Sequence, residues 1–430
     1  EVDDRVSIRS VSIVGDTDLP FSTISAIVSP SDATVQYKWL ISDTLNGEYV
    51  ILEGETSATL EIIPDDIGKF IKVEARGTGD YRRIRTSDPV VIGFGGFDLA
   101  KDAYEIANWY HLDNVRHILD GNFIMTANLG APEDLGPTGA PSVFYETKGY
   151  DEVVGNMGFE PIGQVTMGSR SVTAFSEEEE DFLSQLFTGT FDGGNYAIKD
   201  LYIDRQMEYR TSQVMDLSQA AGLFGVIYQA ELKNLTLQNS AVYGTHFVGG
   251  LAGYSRESIL TNVHNLEYYN NDDPMPLGRE PANFVVGYTR VGGITGINDS
   301  GTISFASNDG VVVGEEFAGG IAGSNHLDNI QTSPSVMSIE EPISYETHIT
   351  DSWNGGWIVG SRYIGGIAGS NGTSFLGLNS TDISNLVYDE VVPASIARCN
   401  NDGFVESYDL MYNGISFPSG SLGGIAGLNL

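Results

Sequence analysis

The chain has 430 residues, with 22 basic against 58 acidic side chains and a net charge of -36. Apolar residues make up 41%, enough for a sizeable core, so general disorder is excluded. The charge argues against nucleic acid and against an anionic membrane surface, since phosphate repels carboxylate, and it favours solubility, cation binding or a saline medium.

The length suggests two or three domains. Glycine stands at 52 of 430 residues, about 12%, against a norm of roughly 7%. Glycine among many β-branched residues points to a turn-rich all-β chain. The single Cys399 forbids an intramolecular disulfide. No apolar run approaches the ~20 residues of a membrane helix, so no membrane insertion is expected. The opening EVDDRVSIRS does not read as a signal peptide, and export would use a leader outside this sequence.

Residues 1–93 carry 16 acidic and 9 basic side chains, while 94–430 carry 42 and 13. The border is expected at Gly93-Phe94-Gly95-Gly96, a flexible break. The first part reads as short strands between turns: Val6–Val14, Ala33–Leu40, Ala58–Ile63 and Lys69–Ala75. Trp39 is expected in the core. About 90 residues of this kind fit an immunoglobulin-like sandwich. The match runs through Tyr37, Trp39, Ser57-Ala58-Thr59-Leu60, Asp66, Gly68-Lys69-Phe70-Ile71 and Val73. It resembles the Ig-like modules of bacterial surface proteins, with Phe70 where a tyrosine is usual.

Beyond the border, a helix is expected over His111–Leu119, ended by Asp120-Gly121. The region of about 98–122 reads as a cap over the rest of the second part.

A repeat then decides the architecture. FVGGLAGYS starts at Phe247, RVGGITGIN at Arg290, FAGGIAGSN at Phe317, YIGGIAGSN at Tyr363 and SLGGIAGLN at Ser421. The glycines are Gly249, Gly250 and Gly253; Gly292, Gly293 and Gly296; Gly319, Gly320 and Gly323; Gly365, Gly366 and Gly369; Gly423, Gly424 and Gly427. A weaker relative supplies Gly222 and Gly225. Spacings of 43, 27, 46 and 58 residues suggest a 27-residue unit with loop insertions.

Such a unit cannot bury its apolar face alone, so stacked copies in parallel register are expected. Val248, Val291, Ala318, Ile364 and Leu422 would form one column, and Leu251, Ile294, Ile321, Ile367 and Ile425 another. Asn308, Asn354 and Asn401 are candidates for a hydrogen-bonded ladder, as are Asn298, Asn325, Asn371 and Asn429.

This repeat resembles the GLUG motif of bacterial surface adhesins. Upstream, Leu112, Val115-Arg116, Leu119, Gly121-Asn122-Phe123, Pro161-Ile162-Gly163, Phe191-Asp192-Gly193 and Gly222-Leu223-Phe224-Gly225 follow the same pattern. The resemblance covers roughly residues 104–430. It implies a right-handed parallel β-helix at the cell surface, capped by the short helix, and it implies no one ligand. Leu430 directly follows a repeat, so the far end is expected either to be trimmed from a longer parent or to be covered by another molecule.

Chemistry is faint. The histidines His111, His117, His246, His264, His326 and His348 form no HExxH or metal-finger spacing. No catalytic residues are assigned, and an enzyme is not expected. Asp309 and Asp402 align, but Gly355 interrupts their column, so Asp there reads first as a turn residue. Cys399 aligns with Ala306, expected within a strand as a small buried hydrophobe. Glu177 and Glu178 lie in an acidic run, and Asp272 and Asp273 in another loop. Calcium is the one ion these weak candidates would suit; no other cofactor is expected.

The inserted loops Val263–Ala282, Gln331–His348 and Leu376–Ala394 are the expected recognition elements. Asn234, Asn298, Asn371 and Asn379 begin sequons. The leading expectation is an extracellular structural or adhesive protein for cell-surface attachment or matrix contact. Its partners would be its own copies or a cell-surface glycan. The alternatives are a self-assembling filament or surface-layer subunit, and a carbohydrate-active enzyme.

Overall fold

The computed structural model describes residues 4–130, 150–154, 158–165, 180–206, 217–266, 283–328, 347–374, 394–407, 410–412, 415–417 and 421–429. The chain is mostly β, and it divides into two units. The first holds 1–118 with 122–124, and the second holds 119–121 with 125–430. The segment 98–118 is thus counted with the first unit.

In the first unit, alternating apolar residues pair two antiparallel sheets. One has the order Ser10–Val14, Thr23–Ser29, Thr59–Glu61. The other runs Val90–Val91, Phe70–Gly77, Val35–Ser42, Val50–Ile51, with Ile84–Thr86 also on Phe70–Gly77. The expected strand Val6–Val14 is broken: Val6–Ser7 pairs in parallel with Tyr81–Arg82 instead. Val11, Ile24, Val28 and Leu60 from one sheet meet Trp39, Ile41, Ile71 and Val73 from the other in a buried core. Trp39 is wholly buried there, and its Nε1 donates to Ser57 O at 2.9 Å. Phe70 has no hydroxyl to offer. Tyr104, stacked 6.4 Å from it, donates its own to Gly68 O at 2.9 Å.

The helix covers Trp109–Asn114 and continues as a 3-10 turn, Val115–His117. Asn108 caps it, its Oδ1 accepting from His111 N–H at 2.9 Å. It therefore starts two residues earlier than expected and stops at Ile118, before Asp120-Gly121.

The second unit is built of three parallel sheets that the chain visits in turn. The first sheet contains Glu231–Gln238, Ile259–Leu266, Thr302–Ser304 with Ser307–Asn308, His348–Thr350 with Trp353–Asn354, and Ser395–Ala397 with Asn400–Asn401. The second contains Ala241–Tyr243 with His246–Gly249, then Phe284–Gly292, Val311–Gly319, Trp357–Gly365, and Phe404–Ser407 with Leu422–Gly423. The third has the order Phe224–Tyr228, Ala252–Arg256, Thr295–Asp299, Ala322–Asp328, Ala368–Ser374, Ala426–Asn429.

The repeat glycines come into register. Gly249 pairs with Gly292, Gly292 with Gly319, Gly319 with Gly365 and Gly365 with Gly423. One circuit through the three sheets is the 27-residue unit. The extra residues of the longer spacings fall outside the described residues for the most part. Both apolar columns form: Val248 pairs with Val291, Val291 with Ala318 and Ala318 with Ile364, while Ile294 N–H donates to Ile321 O and Ile321 N–H to Ile367 O; their last members, Leu422 and Ile425, are in register but 49% and 38% exposed. The column members from Val248 to Ile364 and from Leu251 to Ile367 are fully buried, each covered by its neighbours along the column.

Candidate functional site

Two asparagine ladders run along the stack. Asn265 Nδ2 donates to Asn308 Oδ1 at 2.9 Å, Asn308 to Asn354 at 2.9 Å, and Asn354 to Asn401 at 2.7 Å. Asn298 donates to Asn325 at 2.8 Å, Asn325 to Asn371 at 2.7 Å, and Asn371 to Asn429 at 2.8 Å. The glycine pair makes room for the first ladder. A Cβ on Gly293, Gly320 or Gly366 would overlap the carboxamide of Asn308, Asn354 or Asn401. Asn298 and Asn371 are buried in the second ladder, which closes their sequons to modification. Asn234 Nδ2 donates to Asp192 Oδ1 at 3.0 Å, and Asn379 lies outside the described residues.

Four successive rows of the second sheet turn through a left-handed residue. Phe247, Arg290, Phe317 and Tyr363 have φ of 54°, 56°, 57° and 58°, a costly conformation for bulky side chains. The third glycine of each repeat lets the neighbouring circuit pass this kink; a Cβ on Gly323 would overlap the Arg290 backbone, and one on Gly427 the Ile364 amide. Stacking offsets the strain. The Arg290 guanidinium lies 5.9 Å from the Phe247 ring and 5.1 Å from the Phe317 ring, and Phe317 stacks on Tyr363 at 4.9 Å.

On the third sheet, buried polar groups gather beside this column. Arg256 pairs in register with Asp299, and Asp299 with His326. Asp299 is fully buried; Tyr254 Oη donates to its Oδ2 at 2.7 Å, and Arg256 Nη1 lies 3.6 Å from the same oxygen. Burial would lower the Arg256 pKa, but the Asp299 and Glu257 carboxylates outweigh it and hold it above its ordinary value. Burial, helped by the Arg290 charge, pushes His326 down to about 3. His326 is thus a neutral imidazole beside a cation. Tyr254 belongs to a packed apolar group with Phe182, Leu186, Leu217, Phe247 and Ile297. The cluster acts as an ionic lock under that layer. No periodicity marks it in the sequence, because the column holding Tyr254 continues as Ile297, Ser324 and Ser370.

The remaining candidates lie apart. His111 Nδ1 accepts from Ala107 N–H at 3.1 Å, and its Nε2 faces Asp18 Oδ1 at 3.0 Å, so it is built into the first unit. Burial lowers the pKa of His117 and of His264, and His264 Nδ1 sits 2.8 Å from Ser307 Oγ. His246 meets Tyr288 edge-on at 5.8 Å, and His348 Nδ1 lies 2.6 Å from Ser395 Oγ. Cys399 and Ala306 lie between two short strands, not within one, and Cys399 is only half-buried. Its pKa is raised by burial. Glu177, Glu178, Asp272 and Asp273 lie outside the described residues. Among the described residues no group of three His, Cys, Asp or Glu could hold a metal ion.

At a corner between the first and second sheets, the Asp309–Gly355–Asp402 column carries an aromatic group. A Cβ on Gly355 would overlap the Trp353 indole and lie 2.7 Å from Asp309 Oδ1. Trp353 Nε1 donates to Asp402 Oδ2 at 2.9 Å, and Asn400 Nδ2 donates to the same oxygen at 2.9 Å. Trp357, on the second-sheet side of the same corner, is 45% exposed and pairs in register with Phe404, 77% exposed.

No family model matches the chain. Over 157 residues it is 29% identical to halomucin of Haloquadratum walsbyi, a match that takes in 36% of this chain and 1% of halomucin. The chain thus spans a very small part of that relative. No helix among the described residues is long and apolar enough to cross a membrane.

Proposed function

We propose that this is an extracellular structural protein of the cell surface, working in attachment or matrix contact. In this reading the first unit is an Ig-like sandwich and the second a right-handed parallel β-helix of the GLUG type. Strand registers, inward columns and asparagine ladders support the β-helix. The observation that carries the functional reading is the partial likeness to halomucin, which is compatible with a surface or extracellular role. The charge of -36 agrees with a saline exterior, where salt screens self-repulsion.

Antibody raised against the full chain should label intact cells of the source organism, and mild external protease should remove the label. Labelling that requires permeabilised cells would overturn the surface assignment. Beads coated with the chain should adhere to those cells; beads that stay free would reject attachment while leaving the location standing.

A further inference from the structure

The leading part of three strands of the second sheet breaks the usual alternation, while Glu316 and Arg362 pair further along and exposed Glu406 lies beside Val359. A sheet with one wet face carries polar residues outward. The first sheet largely obeys, with Glu231, Lys233, Thr302 and Ser304 flanking its buried Leu232 and Ile303. On the second sheet the residues flanking buried Val285, Val312 and Ile358 are Phe284, Val286, Val311, Val313, Trp357 and Val359. None is polar. This apolar stripe leads to the corner where Trp357 and Phe404 stand exposed one strand spacing apart, next to Trp353, Asp309 and Asp402.

We propose that this corner binds a polysaccharide whose sugars carry free amino groups. The apolar faces of pyranose rings pack against Trp357 and Phe404, as such rings pack on any flat apolar surface. Their ammonium groups face Asp402 and Asp309 and lie near the indole rings, which also attract cations. Charge selects the occupant. At contact distance, where salt screens least, the Asp402 and Asp309 carboxylates favour an ammonium and disfavour uronic and sulfated chains; at low ionic strength the net charge of -36 also disfavours a second copy of this chain. The Trp353–Asp402 hydrogen bond fixes one carboxylate beside the aromatic surface. This inference rests on the reading of an extracellular contact protein and names its ligand class.

The test is calorimetry and tryptophan fluorescence on the full chain with a β-linked glucosamine hexamer, its N-acetylated form and a hexuronate. The glucosamine oligomer should bind most tightly and perturb the fluorescence, and the hexuronate should not bind. Trp357→Ala should weaken binding about tenfold, the scale of one lost aromatic contact. Phe404→Ala should do the same at a site exposed enough to leave folding intact. Asp402→Asn keeps an acceptor for Trp353 and should weaken the glucosamine oligomer but not the N-acetylated one. Absence of glucosamine binding, undiminished binding by both aromatic variants, or preference for the hexuronate would overturn the proposal. So would an oligomer of the native chain that Trp357→Ala dissolves, because the face would then be a contact between copies. Antibody labelling of cells is independent of these results, so loss of the ligand leaves the surface reading intact.

Discussion

Tyr254 donates its hydroxyl hydrogen to Asp299 across adjacent strands of the third sheet, at 2.7 Å with both side chains fully buried. Arg256, in register with Asp299, supplies the countercharge. A buried carboxylate is tolerated only with such partners. Removing one partner exposes the cost of the others.

Asp299→Ala leaves the Arg256 charge without that carboxylate, and should lower unfolding stability by about 3 kcal/mol. Tyr254→Phe removes a single hydrogen bond to a charged group and should cost about 2 kcal/mol. Urea titrations of both variants and of the double variant check this. The double variant should cost less than the sum, since the two groups share one interaction. A fully additive result would mean that the hydroxyl and the carboxylate act separately.

The asparagine ladders lead to a second expectation. Asn354 links Asn308 to Asn401 and also donates to Gly356 O at 3.3 Å. Asn354→Ala should cost about 2 kcal/mol, because it removes one bond from the buried Asn308 amide and the donor to the part-buried Asn401 Oδ1. Gly320→Ala should cost about 3 kcal/mol or more, since the new methyl overlaps both the Asn354 carboxamide and the Gly366 carbonyl. The pair Gly320→Ala with Asn354→Ala should recover part of that loss, because the second change removes one of the two clashes. Thermal melts of the three variants measure it; no recovery would show that the Gly366 backbone alone sets the constraint.

Much of the second unit was legible because repetition made it so. Asn308, Asn354 and Asn401 each stand two residues before a glycine, Gly310, Gly356 and Gly403, and equivalent positions in a stacked chain become neighbours. Asn265 was missed as the first rung of that ladder because Glu267, not glycine, stands two residues after it. The helix start was misread because Asn108, whose side chain caps the first turn, fixes it two residues before His111, and the helix gives way to a 3-10 turn that ends at Ile118, short of Gly121. The ionic lock was illegible because Tyr254, Arg256, Asp299, Arg290 and His326 come from three different circuits and none recurs. The outer face of the second sheet was partly legible. Its apolar triplets such as Val311–Val313 read as strand, but which members face outward became clear only from the buried Val312 between them.

His326 makes the last prediction, about acid. Its pKa in the folded chain is lowered to about 3 by burial and by Arg290, against 6.5 when free. The unfolded chain therefore binds a proton that the folded chain refuses. Stability from this group is fully present above pH 6.5 and is lost as the pH falls from there toward 3. Between pH 7 and pH 5 the loss should be about 2 kcal/mol. His117 and His264, also lowered by burial, add losses of the same sign. The 58 carboxylates act in the opposite direction: protonating them relieves self-repulsion, mostly below pH 5. The histidine effect is therefore cleanest between pH 7 and pH 5. Urea unfolding of the native chain should weaken over that range, and His326→Gln should flatten the fall by about 2 kcal/mol. An unchanged slope in the variant would mean that His326 already takes up a proton in the folded chain near pH 6, and the buried site beside Arg290 would then have to admit a second cation.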